Sequence, residues 1–267
     1  MTVAIIGAGV MGEALLSGLI RGGHEPADLM VGEKRPERAA ELREKHAVQV
    51  VANTEAAARA DTVALVVKPQ DMADVLIEIA PHLRSGQVLI SLAAGITTDY
   101  IEKHIPDGIA VIRVMPNTPA LVDEGMAAIS PGTHCDEEHL ALAEQMLSVT
   151  GRVVRVPEKQ QDAVTAISGS GPAYLFFVVE AMIEAGVHLG LPRSTSTELV
   201  VQTVVGSAKL LRETGEHPTV LRERVTSPGG TTAAAIRQLE NHKVRAAFIT
   251  AMEAARDRSI ALAANDD

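Results

Sequence analysis

Short β-branched, apolar runs alternate with segments of helical periodicity through roughly the first 155 residues. The runs predict strands at residues 3–6, 29–32, 48–51, 62–67, 88–92 and 110–114. The periodic segments predict helices at residues 11–21, 35–45, 71–82 and 97–104. Two weaker strands, 127–129 and 152–155, flank a predicted helix at 137–149. This alternation favours a doubly wound, mostly parallel sheet.

The pattern changes after Val156 and Pro157, and only helical periodicity follows. We therefore expect a first domain at residues 1–157 and an all-α domain at residues 158–267. Predicted helices at 174–189 and 198–211 are apolar on more than one face, and such helices must be buried. We expect a homodimer through these C-terminal helices; the alternative is that they pack against the first domain.

Two small-residue segments interrupt the helical part, at residues 168–173 and 226–232. Gly and Pro cost roughly 1 and 3 kcal/mol in a helix interior, so a helical core does not need them. We infer that something approaches the backbone closely at both places. In the second segment, a Pro-Gly-Gly turn precedes a predicted helix at 231–240, whose first amides would suit an anion. The alternative is an ordinary helix–helix turn with a Ser or Thr cap.

Composition excludes several functional classes. The net charge of −10 argues against nucleic acid as the main partner. Cys135 is the only cysteine, which excludes an intrachain disulfide and fits a reducing compartment. The N-terminus lacks the basic start of a signal peptide, and no apolar run approaches 18 residues. We expect a soluble, cytoplasmic protein with no membrane partner and no metal site.

A glycine fingerprint lies between the first predicted strand and helix: Gly7, Ala8, Gly9, Val10, Met11 and Gly12. Gly7 allows the tight turn, Gly9 lets the backbone approach a pyrophosphate, and Gly12 allows close helix–sheet packing. This context predicts a Rossmann-type dinucleotide site, with a ligand-free βα turn as the alternative.

The residues after the second strand give conflicting signals about the dinucleotide. Glu33 stands 21 residues after Gly12, where an acid would hold a ribose 2′-hydroxyl and favour NAD. Lys34 and Arg35 follow and would hold a 2′-phosphate, favouring NADP, unless they are a solvated helix start.

Other strand ends should line the same crevice, because ligands of such sheets bind beyond the carboxyl ends of the strands. Asn117 lies in a rigid turn between two prolines, which suits a side chain held against nicotinamide. Asn53 is equally well explained as a helix N-cap. The remaining candidates are Val67, Lys68, Pro69, Ala93, Ala94 and Gly95.

Taken together, these motifs resemble the Δ1-pyrroline-5-carboxylate reductases, the last enzymes of proline biosynthesis. The matching segments are residues 7–12, 67–69, 94–96, 113–119, 162–165, 168–173 and 227–232. The resemblance implies that NAD(P)H delivers a hydride to the ring C=N carbon of pyrroline-5-carboxylate, giving L-proline. It also implies a homodimer, with larger rings of dimers known among relatives. Relatives favour NADPH and carry a small polar residue in place of Glu33.

The same resemblance implies the substrate site. The glycine-rich turn would hold the substrate carboxylate through backbone amides, and Thr232 would be a candidate proton donor near the ring nitrogen. Glu158 matches a family position near the substrate. The substrate residues implied are Glu158, Ser170, Ser227, Gly229, Gly230, Thr231 and Thr232.

Two other functions compete. A related β-hydroxyacid or imine reductase would place a catalytic Lys on the first long helix of the second domain, but residues 168–191 contain no Lys. A dinucleotide-sensing protein without catalysis would not need a hydroxyl-bearing glycine turn such as residues 226–232.

Overall fold

A single eight-stranded sheet organises the first part of the computed structural model, which describes residues 1–263. The strand order is β3-β2-β1-β4-β5-β6-β7-β8, and every neighbouring pair is parallel except β6 with β7. The strands are β1 Val3–Ile6, β2 Leu29–Gly32, β3 Gln49–Val51, β4 Thr62–Leu65, β5 Val88–Ser91, β6 Ala110–Met115, β7 Gly125–Pro131 and β8 Gly151–Arg155. The predicted doubly wound, mostly parallel sheet is confirmed.

The helices of this first part occur between the strands, except the last, which follows β8. They are α1 Val10–Arg21, α2 Pro36–His46, α3 Asn53–Arg59, α4 Met72–Ile79, α5 Thr98–Glu102, α6 Glu137–Leu147 and α7 Gln161–Val164. The predicted helix at 71–82 is shorter than expected, because 3₁₀ turns at Pro69–Asp71 and Ala80–His82 flank α4, each with a proline in its first turn.

Both faces of the sheet are covered by apolar side chains. Successive residues of β1 point to opposite faces, so Val3 and Ile5 belong to one core while Ala4 and Ile6 belong to the other. Strands buried on both faces are continuous apolar runs rather than alternating ones, which is why they were visible in the sequence.

The order of the strands fixes where a ligand can bind. From β1 the chain moves to β2 and β3 on one side, and β4 then returns to the other side of β1. At this switch point, the loops after β1 and β4 diverge and leave a crevice beyond the carboxyl ends of the strands.

The rest of the chain is helical as far as residue 263, apart from the connecting turns. Its helices are α8 Gly171–His188, α9 Arg193–Thr214, α10 Pro218–Arg224, α11 Thr231–Asn241 and α12 Val244–Ala263. Residues 171–254 form one compact unit, and residues 1–170 form the other together with the described part of α12 from Ala255. The boundary predicted at residue 157 marks a change of sequence pattern and stays a prediction.

One apolar stretch departs from expectation. Residues 158–188 contain an 18-residue stretch with a mean hydropathy of 1.4, 6% of it buried, which is long and apolar enough to cross a membrane by length and composition alone. Glu180 interrupts the apolar run, whereas an average over 18 residues tolerates one charge. No residue of α8 is buried in the single chain.

Candidate active site

The fingerprint turn after β1 requires glycine at two positions. Gly7 adopts a φ of +96°, a left-handed conformation, and donates its N–H to the Gly32 carbonyl at 3.1 Å. A Cβ on Gly12 would overlap the Gly7 carbonyl oxygen. A side chain is therefore excluded at Gly7 and at Gly12, as the fingerprint predicted.

The start of α1 is open to a ligand. Gly9 is the N-cap, and no side chain of the described residues caps the helix. Apart from its two chain neighbours, no described residue has an atom within 4 Å of where a Cβ on Gly9 would be. The amides of the first turn therefore have no intrahelical partner. They adjoin a cleft of ≈ 530 Å³ whose lining includes Arg35 and Arg38. An uncapped helix N-terminus with neighbouring cations suits a pyrophosphate.

A charged cluster that the sequence did not reveal braces this turn. The Glu13 carboxylate accepts hydrogen bonds from Lys45 at 2.8 Å, from Arg38, and from His46 at 3.1 Å. These bonds, that from Lys45 above all, lower the pKa of Glu13 to about 2. Arg38 also donates through Nε to the Ala8 carbonyl at 3.2 Å, which ties α2 to the turn.

At the end of β2, Glu33, which favours NAD, and Arg35, which favours NADP, are paired with each other. Glu33 accepts hydrogen bonds from the Arg35 backbone N–H at 2.9 Å and from its Nε and Nη2 at 3.0 Å each. The Arg35 guanidinium thereby lowers the pKa of Glu33. The neighbouring Lys34 instead binds Glu78 of α4, with Nζ and Oε2 2.9 Å apart.

Asn53 is not an N-cap, so that alternative was wrong. Ala52 occupies the cap position of α3 without a side-chain bond, and Asn53 is the first helical residue. The buried Asn53 side chain donates through Nδ2 to Glu78 Oε2 at 3.0 Å. It therefore belongs to the wall of the cleft beside Glu33 and Lys34.

The other predicted strand ends reach the same edge of the sheet. After β4, Val67 leads to an exposed Lys68, and Pro69 opens a 3₁₀ turn. After β5, Ala93 is buried, Ala94 is exposed, and Gly95 turns the chain with a φ of +81°.

Asn117 acts as a brace in this structure. Its Nδ2 donates to the Ser168 carbonyl at 3.3 Å and to Ser168 Oγ at 3.2 Å, while its Oδ1 accepts from the Met126 amide at 2.8 Å. These bonds hold the carboxamide at both ends, and the contact with nicotinamide that the sequence predicts for Asn117 stays a prediction.

Ser168, which accepts from Asn117, belongs to a short π-helix, Thr165–Gly169. It is closed by the Ser170 amide, which donates to the Thr165 carbonyl at 2.8 Å. A Cβ on Gly169 would overlap the end of the Met115 side chain. That end of the Met115 side chain is flexible, and Gly171 has open space where a Cβ would be, so packing alone does not require glycine in the first small-residue segment. π-Turns are frequent at functional sites.

Glu158 is held inside the first unit. Its carboxylate accepts from the Thr98 amide at 2.8 Å and from Thr98 Oγ1 at 2.6 Å, and lies 3.3 Å from Arg113 Nη1. The Arg113 side chain is only 7% exposed. The sequence does not reveal that Arg113 pairs with Glu158, because the two residues are 45 positions apart.

The second small-residue segment is an uncapped helix start. Gly229 has a φ of +68°, and Gly230 donates its amide to the Ser227 carbonyl at 3.0 Å. Gly230 is the N-cap of α11 and no side chain caps the helix, so the alternative of a Ser or Thr cap was wrong. The amides of Thr231 and Thr232 begin the helix without intrahelical partners.

Comparison with known proteins decides the family. Residues 158–262 match the model "Pyrroline-5-carboxylate reductase dimerisation", and residues 2–95 match "NADP oxidoreductase coenzyme F420-dependent". A pyrroline-5-carboxylate reductase of Corynebacterium melassecola is 47% identical over 262 residues, covering 97% of each chain. The chain belongs to the pyrroline-5-carboxylate reductase family. This confirms the resemblance inferred from the motifs.

Solved structures of the family agree with the fold. A pyrroline-5-carboxylate reductase from Coxiella burnetii superposes with a TM-score of 0.92 at 38% identity, covering 97% of each chain. A pyrroline carboxylate reductase from Plasmodium falciparum with NADP bound superposes with a TM-score of 0.88 at 30% identity, covering 98% of each chain. Family membership decides against the β-hydroxyacid reductase alternative.

Proposed function

We propose that this protein reduces L-Δ1-pyrroline-5-carboxylate to L-proline with NADPH, the last step of proline biosynthesis. The observation that carries this proposal is the uncapped start of α11 behind the Gly229–Gly230 turn, in a chain of this family. Such a helix start is suited to a carboxylate, and a proline precursor carries one.

The first unit fits the cofactor. When bound, NADPH supplies the hydride that reaches the C=N carbon of the ring. The uncapped amides after Gly9 would bind the pyrophosphate, and the open space at Gly9 lets it approach the backbone. The residues around Glu33 and Asn53 would surround the adenosine ribose. The ends of β4, β5 and β6 would line the nicotinamide, at Val67, Lys68, Pro69, Ala93, Ala94, Gly95 and Asn117.

The second unit fits the substrate. Backbone amides of Gly230, Thr231 and Thr232, with the Ser227–Gly229 turn, would hold the carboxylate. Holding the ring in one orientation is itself a large part of the rate enhancement, since a protonated imine is already a good hydride acceptor. The Thr232 hydroxyl would hydrogen-bond the neutral ring nitrogen and pass to it, from solvent, the proton that makes the imine a good hydride acceptor.

Glu158, Ser170 and Asn117 have a supporting part in this proposal. Glu158 fixes Arg113 and the start of α5, while the Ser170 amide closes the π-turn that receives Asn117. They would set the shape of the nicotinamide end of the site.

We also propose a cytoplasmic homodimer formed by the C-terminal helices, with a larger ring of dimers as a further step. The residues matching the family's dimerisation model include α8, which exposes Leu175, Phe176 and Phe177 by 58–73% in the single chain. A second copy covering this face would account for the apolar stretch without a membrane.

Steady-state kinetics of Thr232 variants test the proposal. Thr232→Ala should lower kcat by about a hundredfold, because a positioned proton donor typically contributes that much or more. Thr232→Ser, which keeps the hydroxyl, should retain most of the activity. Thr214→Ala is a matched control, since its hydroxyl donates to the Leu210 carbonyl and accepts from the Glu216 amide at the end of α9, among the described residues. An unchanged kcat in Thr232→Ala would show that Thr232 is not the proton donor.

A further inference from the structure

The cations that follow β2 are already neutralised by carboxylates. Arg35 is paired with Glu33, and Lys34 is paired with Glu78. The adjoining cleft of ≈ 380 Å³ is lined by both of these acids, by Lys34 and by Arg43, whose guanidinium donates to the Val50 carbonyl. Glu33 and Glu78 thus place two negative charges in a cleft whose lining cations are Lys34 and Arg43.

Glu78 is the unexpected member of this set. It comes from α4, far along the chain from β2, and its Oε2 lies 2.9 Å from Lys34 Nζ and 3.0 Å from Asn53 Nδ2. Its side chain is 29% exposed, compared with 71% for Lys34. The better-buried acid thus determines where the flexible lysine lies.

The two nicotinamide cofactors differ at this place only by the ribose 2′-phosphate. A 2′-phosphate would have to draw Lys34 away from Glu78 and would then face an unpaired carboxylate. A 2′-hydroxyl has neither difficulty, because it can donate a hydrogen bond to a carboxylate such as Glu33.

We propose that Glu78 is a specificity-determining residue that lowers the preference of this enzyme for NADPH over NADH by withholding Lys34 from the 2′-phosphate. The inference rests on the proposed function and deepens it. Glu78 itself touches neither the hydride nor the substrate in this account; it acts through Lys34.

Calorimetric titration with 2′,5′-ADP and with 5′-AMP isolates the contribution of the 2′-phosphate. Glu78→Gln keeps the size and hydrogen-bonding capacity of the side chain and removes its charge. We expect 2′,5′-ADP to bind about three- to tenfold more tightly to this variant, the range set by releasing one exposed ion pair and removing one repulsion. The gain should shrink at high salt, and 5′-AMP binding should change less than about twofold.

Glu55→Gln is the matched control. It removes one carboxylate from an exposed ion pair with Arg59 on the neighbouring α3, and Glu55 does not line the cleft. Its 2′,5′-ADP affinity should remain that of the wild type. An equal gain in both variants would mean that only overall charge matters and would overturn the proposal.

Lys34→Gln provides a second, independent measurement. If Glu78 withholds Lys34, this substitution should cost little 2′,5′-ADP affinity in the wild type and several-fold more in the Glu78→Gln background. Equal costs in both backgrounds, or no detectable 2′,5′-ADP binding in any variant, would overturn the proposal. These titrations need no substrate, so a failure to reduce pyrroline-5-carboxylate would contradict the proposed function separately.

Discussion

Replacing Glu158 by Ala tests whether this residue anchors the fold or touches the substrate. In the structure its carboxylate accepts two hydrogen bonds from Thr98 and pairs with Arg113 at 3.3 Å. The variant would leave the Arg113 guanidinium unpaired among buried groups, since its side chain is only 7% exposed.

The expected loss follows from these contacts. Removing one partner of a buried ion pair costs about 3–5 kcal/mol. The Glu158 side chain is 27% exposed, and it meets Arg113 through one contact of 3.3 Å. Water can therefore replace part of the interaction that the variant loses. We therefore expect a loss of about 2–3 kcal/mol in the free energy of unfolding. Glu158→Gln still offers Thr98 an acceptor and should lose about half as much.

Urea denaturation at one fixed protomer concentration measures this loss, because the stability of a dimer depends on concentration. Steady-state kinetics on the same samples give KM for pyrroline-5-carboxylate. We expect Glu158→Ala to unfold at a lower urea concentration. Its KM should rise less than about threefold, which corresponds to a change of under about 0.7 kcal/mol in the binding free energy.

The opposite pattern would refute this reasoning. If Glu158→Ala lost less than about 0.5 kcal/mol, as a surface substitution does, while KM rose more than tenfold, Glu158 would be a substrate ligand. Thr98→Val serves as a partial control, because it removes only the hydroxyl bond and leaves the backbone amide of Thr98 in place.

Two further predictions concern the turn after β1. Glu13→Gln should cost about 1 kcal/mol of stability at neutral pH, a value discounted for solvent screening. The pKa of Glu13 is lowered from its ordinary value of 4.5 to about 2 in the folded protein, so this difference should persist above pH 4.5 and vanish as the pH falls towards 2. Urea titrations at several pH values measure it. Gly12→Ala should weaken NADPH binding at least tenfold, because the new Cβ would overlap the Gly7 carbonyl oxygen. Fluorescence titration with NADPH measures the affinity, and an unchanged affinity would contradict the prediction.

Much of the fold could be predicted because the signals are local. Buried parallel strands such as β1, β2 and β4 are continuous apolar runs, and their starts were predicted to the residue. Gly7 and Gly12 were assigned correctly as close-packed glycines because a turn of fixed geometry demands their spacing.

The site was harder to predict because its contacts join distant parts of the chain. Glu78 reaches Lys34 from another helix, Arg113 meets Glu158 from 45 residues away, and Asn117 binds Ser168 from 51 residues away. Hydrophobic periodicity says nothing about which polar side chains pair across elements. The sequence therefore gives no sign that Glu33 pairs with Arg35, or Lys34 with Glu78.

The most direct test of the central claim is the fate of a labelled hydride. The enzyme would be incubated with pyrroline-5-carboxylate and NADPH that carries deuterium at C4 of the nicotinamide, in the one of the two positions from which the enzyme takes the hydride. The proline formed would be analysed by mass spectrometry and NMR. We predict L-proline with one deuterium at C5, and none incorporated there when unlabelled NADPH is used in heavy water. The absence of proline with either NADPH or NADH, or proline whose C5 deuterium came from solvent, would contradict the account.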